Sequence, residues 1–296
     1  MEQSKQTYKS FSDKWQQNKT LAFSETLRDG ATFFDWILTR NGFSHPKGFS
    51  QYLSSKRHIL DAGCGNGRVT ALLHSYAHSE ANLVGIDLTS AEVAKENLSH
   101  LDRVSVSQKD LLVDLSDLGT FDFIYCQEVL HHTTDPKQAF LNLCSRLDHG
   151  GEIAIYVYKK KGPIREFSDD LIRDEISCLA YEEAIAEMSG LTDLGRALTD
   201  VNAKVYVPDI KVLGIPAGEY DVQRLLYHFF LKCFWNPNLK YEENVAINYD
   251  WYHPQLCTRH TSEEILGWFE SAKLKVVHSH IDFYGITMRG INTEGE

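Results

Sequence analysis

Ile59-Leu60-Asp61-Ala62-Gly63-Cys64-Gly65-Asn66-Gly67-Arg68 decides how the rest of the chain is read. His58-Ile59-Leu60 is a short apolar run closed by an acid, the pattern of a buried strand feeding a tight loop. Val69, Leu72, Leu73 and Tyr76 follow at helical spacing. Glycines at 63, 65 and 67 lack a Cβ, so the backbone between strand and helix can approach a ligand closely and take positive φ. The spacing D-x-G-x-G-x-G differs from the G-x-G-x-x-G of dinucleotide folds, and no phosphate-binding signature accompanies it.

Working outward, residues 83–86 form a second short strand, closed by Asp87, 20 residues after Gly67. Thr89 and Glu92 have capping-box spacing, and Val93, Asn97 and Leu101 continue a helix. Val104 and Val106 mark a third strand, followed by Gln108-Lys109-Asp110-Leu111; residues 121–126 read as a fourth. Asp135-Pro136 starts a helix with an apolar face of Ala139, Phe140, Leu143, Cys144 and Leu147. His149-Gly150-Gly151 ends it, and residues 153–158 are a fifth strand. Alternating strands and helices specify a parallel sheet covered on both faces. Ligands of such sheets bind at the carboxyl ends of the strands, where the strand order reverses.

The alternation breaks near Lys160. Residues 160–250 read as mostly helical, with helices over 169–188 and 220–235 and breaks at Pro208, Pro216 and Pro237. The earlier rhythm returns at Thr261, which makes a second capping box with Glu264. A helix with Ile265, Trp268, Phe269 and Ala272 inside follows, then closing strands over 274–277 and 281–288. The expected organisation is a helical lid over 1–50, an α/β core over 51–159, a helical substrate cap over 160–250, and the rest of the core over 251–296.

A net charge of −11 argues against a nucleic-acid substrate, which needs basic surface, and suits a small molecule, free or carrier-bound. None of the six cysteines forms a CxxC pair, and no Cys/His spacing fits a metal site. No run of about 18 apolar residues suggests a membrane span. The polar start MEQSKQTYKS lacks the apolar core of a signal peptide, so a cytoplasmic protein is expected.

The loop 59–68 resembles the first motif of class I S-adenosylmethionine (SAM) methyltransferases. Residues 121–132, ending in Gln127-Glu128-Val129-Leu130-His131-His132, resemble the fourth-strand motif of their small-molecule branch. That resemblance implies a Rossmann-like, seven-stranded, mostly parallel α/β sheet with helices on both faces, an N-terminal helical segment and a helical insertion after the fifth strand. It implies that SAM lies against Asp61, Gly63, Cys64, Gly65 and Gly67, with Asp61 holding the cationic end. Asp87 and Leu88 would meet the ribose, Asp110 and Leu111 the adenine, and Gln127 the methionine moiety. Tyr8, Phe11 and Trp15 share one helical face, and Trp15 is expected to close over the cofactor.

Methyl transfer from a sulfonium chiefly needs two reactants held in line, so the motifs identify the donor and not the acceptor. For the acceptor side the candidates are Glu128, Arg165, Trp251, Tyr252 and His253, with Tyr156 nearby. His132, Tyr158 and His260 are the candidates for proton transfer, although His131 and His132 equally suit a packing role. The stripe Tyr227, Phe229, Phe230, Phe234 and Trp235 reads as core, with pocket lining and a homodimer interface as alternatives. Other SAM chemistry, an inactive SAM-binding protein and a nicotinamide oxidoreductase remain alternative readings; the glycine spacing disfavours the last.

Overall fold

The computed structural model describes residues 2–293. The chain opens with four helices, α1 (Glu2–Gln17), α2 (Phe23–Leu27), α3 (Thr32–Arg40) and α4 (Pro46–Leu53). Strands and helices then alternate: β1 (His58–Ala62), α5 (Arg68–Tyr76), β2 (Asn82–Asp87), α6 (Ala91–Leu98), β3 (Val104–Gln108), β4 (Phe121–Gln127), α7 (Pro136–Cys144) and β5 (Leu147–Tyr158). After them come α8 (Pro163–Ile176), α9 (Tyr181–Asp200), β6 (Lys204–Val207), β7 (Gly218–Asp221), α10 (Val222–Phe229) and α11 (Tyr241–Tyr252). The chain closes with α12 (Ser262–Ser271), β8 (Leu274–Ile281) and β9 (Gly285–Asn292). Two compact units result: residues 11–159 with 258–293, and residues 2–10 with 160–257.

The first unit contains a seven-stranded sheet in the order β3-β2-β1-β4-β5-β9-β8. β9 alone runs against its neighbours, pairing antiparallel with both β5 and β8. The order reverses between β1 and β4, which are parallel neighbours with Leu60 opposite Ile124. Successive residues of the inner strands point to opposite faces. Leu60, Ile124, Ile153 and Ile155 meet Phe140 and Leu143 of α7 and Trp268 and Phe269 of α12. Ile59, Phe123 and Ala154 meet Phe34 and Leu38 of α3, Phe49 of α4 and Leu72 and Leu73 of α5. Each such fully buried large side chain contributes about 1.5–3 kcal/mol. The α/β sheet with helices on both faces is as the sequence predicts.

Local departures have local causes. Thr261 does cap α12, its hydroxyl accepting from Glu264 N at 3.2 Å while Glu264 Oε2 accepts from Thr261 N at 2.9 Å. Thr89 does not cap α6: the helix starts at Ala91 with Ser90 as its N-cap, and the Asp87 carboxylate accepts from Thr89 N at 2.8 Å and Ser90 N at 2.9 Å in the turn before it. Of the closing strands, β8 starts where expected but runs on to Ile281, and β9 begins later, because Asp282 Oδ1 accepts from Tyr284 N and Gly285 N and so sets the turn between them.

The second unit is helical, as expected, but differs in its pieces. The helix expected over 169–188 is two helices, α8 and α9, broken between Ser177 and Ala180. The one expected over 220–235 contracts to α10, where the Asp221 side chain accepts from Arg224 N. Tyr220 instead lies in β7, which pairs antiparallel with β6 in a hairpin not anticipated from sequence. Four-residue strands are too short for their alternation to stand out.

Candidate functional site

The glycine loop lies at the carboxyl end of β1, where the strand order reverses. Gly63 and Cys64 donate backbone bonds to the Ile86 carbonyl at 2.7 and 3.0 Å, which lashes the loop to β2. Gly63 has φ of +83° and Gly65 of +58°, both in the left-handed region that glycine tolerates best. A Cβ on Gly63 would stand 2.3 Å from Val129, and one on Gly65 would stand 3.0 Å from the Trp15 ring. Trp15 therefore lies directly against Gly65. Cys64 is buried, and burial pushes its thiol well above the ordinary value, so it is a packing thiol. Gly67 is the N-cap of α5.

Three acids stand at the carboxyl ends of adjacent strands. Asp61, in β1, is 3% exposed, and its Oδ2 accepts from Thr70 Oγ1 of α5 at 2.6 Å. Burial, opposed by the Thr70 bond and reinforced by the Asp87 charge, pushes its carboxyl up to about 7. Asp87 ends β2, and its Oδ2 accepts from Gly65 N at 3.0 Å, so one carboxylate joins the glycine loop to the start of α6. Beside it, the Leu88 carbonyl accepts from Gln108 Nε2 at 2.7 Å. Asp110 follows β3 and folds back to accept from Leu112 N at 2.9 Å. Leu111 is buried in the core, and its carbonyl accepts from Asn142 Nδ2 at 2.8 Å. With strands about 4.8 Å apart, the row from β3 through β2 and β1 to β4 spans roughly 14 Å.

Gln127 and Glu128 occupy the end of β4. Gln127 Nε2 donates to Asn41 Oδ1 at 2.7 Å, and Tyr125 Oη donates to Gln127 Oε1 at 2.9 Å. Glu128 has φ of +65°, unusual for a residue with a side chain, and its carboxylate pairs with Arg40 at 2.8 Å. The Arg40 guanidinium lies 4.4 Å from the Tyr156 ring centre. Arg40 and Asn41 carry no motif, and their placement at the end of α3 is the signal that sequence reasoning lacked.

The histidines and tyrosines form an aromatic cluster beyond β4. His131 is fully buried and stacks on Tyr158 at 3.7 Å. His132 meets His131 at 4.3 Å and the edge of Phe11 at 4.8 Å. Phe11 and Trp15 thus touch two parts of this unit, His132 and the glycine loop. His260 is held on all sides: its backbone N donates to the Tyr158 carbonyl at 2.8 Å, Nε2 lies 3.0 Å from Thr258 Oγ1, and the ring abuts Trp268.

Four expected acceptor contacts belong to the helical unit, and the structure corrects the reading of Arg165. Its guanidinium is 2% exposed and pairs with Asp169, itself fully buried, at 2.6 Å. It also donates to the Tyr227 carbonyl and lies 5.3 Å from the Trp251 ring centre. Tyr252 donates to Asp169 Oδ1 at 2.8 Å. His253 stacks on Tyr249 at 4.5 Å and reaches Ser10 Oγ at 2.8 Å through Nδ1. An anion receptor needs an open guanidinium, and Arg165 is instead neutralised inside the unit. Trp251, Tyr252 and His253 are likewise buried. Of the aromatic stripe, Tyr227, Phe229 and Phe234 are buried too, while Phe230 and Trp235 are half-buried.

A family profile described as a methyltransferase domain matches residues 53–189. An uncharacterized protein of Synechococcus is 38% identical over 110 residues, which are 35% of this chain and 26% of that protein. The ubiquinone biosynthesis O-methyltransferase of Alkalilimnicola ehrlichii is 33% identical over 111 residues, 36% of this chain and 43% of that enzyme. The chain thus spans less than half the length of these curated relatives. Among solved structures, PKMT2 of Rickettsia typhi shares the fold with a TM-score of 0.53 and 14% identity, over 84% of this chain and 54% of that one. Residues 53–189 thus match the model of a methyltransferase domain, and the chain shares its fold with PKMT2.

Proposed function

We propose that the chain transfers the methyl group of SAM to a small-molecule acceptor, free or carrier-bound. The observation that carries this reading is the pair of carboxylates, Asp61 and Asp87, flanking a glycine loop where the strand order reverses. The Asp87 charge adds to the burial that raises the Asp61 carboxyl, and a cation beside the two would relieve that repulsion. The residues suit the group: the glycines carry no side chain of their own, and Asp87 Oδ2 keeps acceptor capacity beyond its bond to Gly65 N.

In this reading Asp61 holds the ammonium end, Gly63 to Gly67 pass along the ligand, and Asp87 with Leu88 receives the ribose hydroxyls. Asp110 and Leu111 receive the adenine, Gln127 faces the methionine carbon chain, and Trp15 covers the loop and excludes water. Bound SAM supplies a methyl group already activated on a sulfonium, so the protein's part is orientation. Glu128 and Tyr156, at the ends of β4 and β5, contact the acceptor, with His132 and Tyr158 the nearest groups for holding its proton. No helix among the described residues is long and apolar enough to cross a membrane. Six free thiols fit a reducing, cytoplasmic setting.

The test has two parts. Calorimetric titration with SAM should show binding that Asp87→Ala weakens on the order of 100-fold, the worth of a charged hydrogen bond at about 1.5–3 kcal/mol. Unchanged affinity sinks the assignment. Incubation of methyl-labelled SAM with a fractionated cell extract should then place label in the low-mass fraction, directly or after mild alkaline release of carrier-bound groups; label that stays on macromolecules after that release refutes the small-molecule half.

A further inference from the structure

The last turn of α3 runs into Arg40-Asn41-Gly42, and each of these three residues is engaged with a different partner. Arg40 pairs through its side chain with Glu128 Oε1 at 2.8 Å. Asn41, 3% exposed, accepts from Gln127 Nε2 at 2.7 Å and donates to the Ile37 carbonyl at 2.8 Å. Neighbouring residues of α3 therefore grip neighbouring residues of β4. Gly42 has φ of +84°, and a Cβ there would stand 2.7 Å from His278 Nδ1. The His278 ring packs flat against backbone that only glycine leaves bare.

His278 also bonds this turn directly. The Arg40 carbonyl is among the last in α3, which have no partner within the helix. His278 Nε2 donates to it at 2.8 Å. The contact depends on an irregularity in β8: the register with β9 shifts between Val276 and His278. Val276 faces Gly290 and His278 faces Arg289, leaving Val277 as the extra residue, 45% exposed. Such a bulge re-aims a side chain; here it gives His278, in place of Val277, the position opposite Arg289. Burial lowers the His278 pKa, aided by the charge of Arg289 and by His280 and opposed by the bond to Arg40 and by Glu152, which favours the neutral ring; a carbonyl can only accept, so Nε2 carries a hydrogen.

We propose that His278 is a positioning residue: through the Arg40 carbonyl it fixes the end of α3, whose Arg40 and Asn41 side chains set the orientation of Glu128 and Gln127. The chain of contacts runs from an edge strand, across a helix end, to the two β4 residues assigned to the acceptor and the cofactor. This rests on the cofactor reading of Gln127 given above.

The experiment is calorimetry with S-adenosylhomocysteine (SAH) on the full chain, with thermal melts alongside. His278→Ala should weaken SAH binding about 5- to 10-fold, the scale of coupling through packed neighbours. His278→Gln, which keeps an N–H donor, should recover most of that loss. The double variant His278→Ala with Gln127→Ala should bind no worse than Gln127→Ala alone, because the two act through one path. Full additivity, or equal losses for Ala and Gln at 278, overturns the proposal in favour of simple packing. Wild-type affinity in His278→Ala overturns it alone; wild-type protein that does not bind SAH overturns the cofactor reading and this proposal together.

Discussion

Asp61 stands in conflict with stability. Its carboxyl is raised from an ordinary 3.8 to about 7, chiefly by burial. A group whose folded pKa is raised binds its proton more tightly in the native state, so its contribution is fully present below the unfolded pKa and is lost as pH rises to the folded one. At about 1.4 kcal/mol for each tenfold change, ionising Asp61 in the folded free protein costs about 4 kcal/mol at pH 8. Asparagine resembles the neutral acid: its Oδ1 can still accept the Thr70 hydroxyl, and no charge is buried. Asp61→Asn should therefore melt several degrees higher than wild type at pH 8, at about 2–4 °C per kcal/mol for a protein of this size. The difference should shrink as pH falls and vanish near pH 4. The same substitution should weaken SAM binding on the order of 10- to 100-fold, because the ammonium loses a charged acceptor. Thermal melts from pH 4 to 8, paired with SAM calorimetry at pH 8, check both halves. Equal melting temperatures at pH 8, or a gain that does not vary with pH, would refute the burial argument; undiminished affinity would refute the ammonium assignment.

Other substitutions probe separate parts of the structure. Trp15→Ala removes the ring lying against Gly65 and should weaken SAM binding severalfold with little change in melting; equal affinity removes the covering role. Gly63→Ala places a Cβ 2.3 Å from Val129 at a φ of +83° and should lower stability by a few kcal/mol, read by urea unfolding. Arg165→Ala strands the buried Asp169 carboxylate and should cost about 3–5 kcal/mol; a loss below 1 kcal/mol would return Arg165 to the surface.

The residues of the proposed donor site stand out in the sequence because their pattern is local. Strand, acid and glycines adjoin one another from Ile59 to Gly67, and the acids at 87 and 110 each close a recognisable strand. The rest of the proposed site depends on long-range contacts: Asn41 and Arg40 reach Gln127 and Glu128 from more than 80 positions away, and His278 reaches Arg40 from 238. No spacing rule reports such meetings. Arg165 shows the opposite failure, because its partner Asp169 lies one helical turn along, but nothing in the sequence says that the pair is buried. Thr89 and Glu92 have the spacing of a cap, yet Asp87 Oδ1 takes Thr89 N and the Glu92 carboxylate pairs with Lys95 instead.

The place of β9 in the sheet has a consequence for biosynthesis. β5 carries eight consecutive buried residues from Gly151 to Tyr158, and one of its two neighbours is β9, which begins at Gly285. At ribosomal rates of about 5–20 residues per second, β5 emerges roughly ten seconds before the strand that covers its open edge. Through that interval an apolar strand offers unpaired N–H and C=O groups to any passing chain. The nascent protein therefore calls for protection by a chaperone at this stage, and a chain stalled before Gly285 should aggregate where the finished one does not.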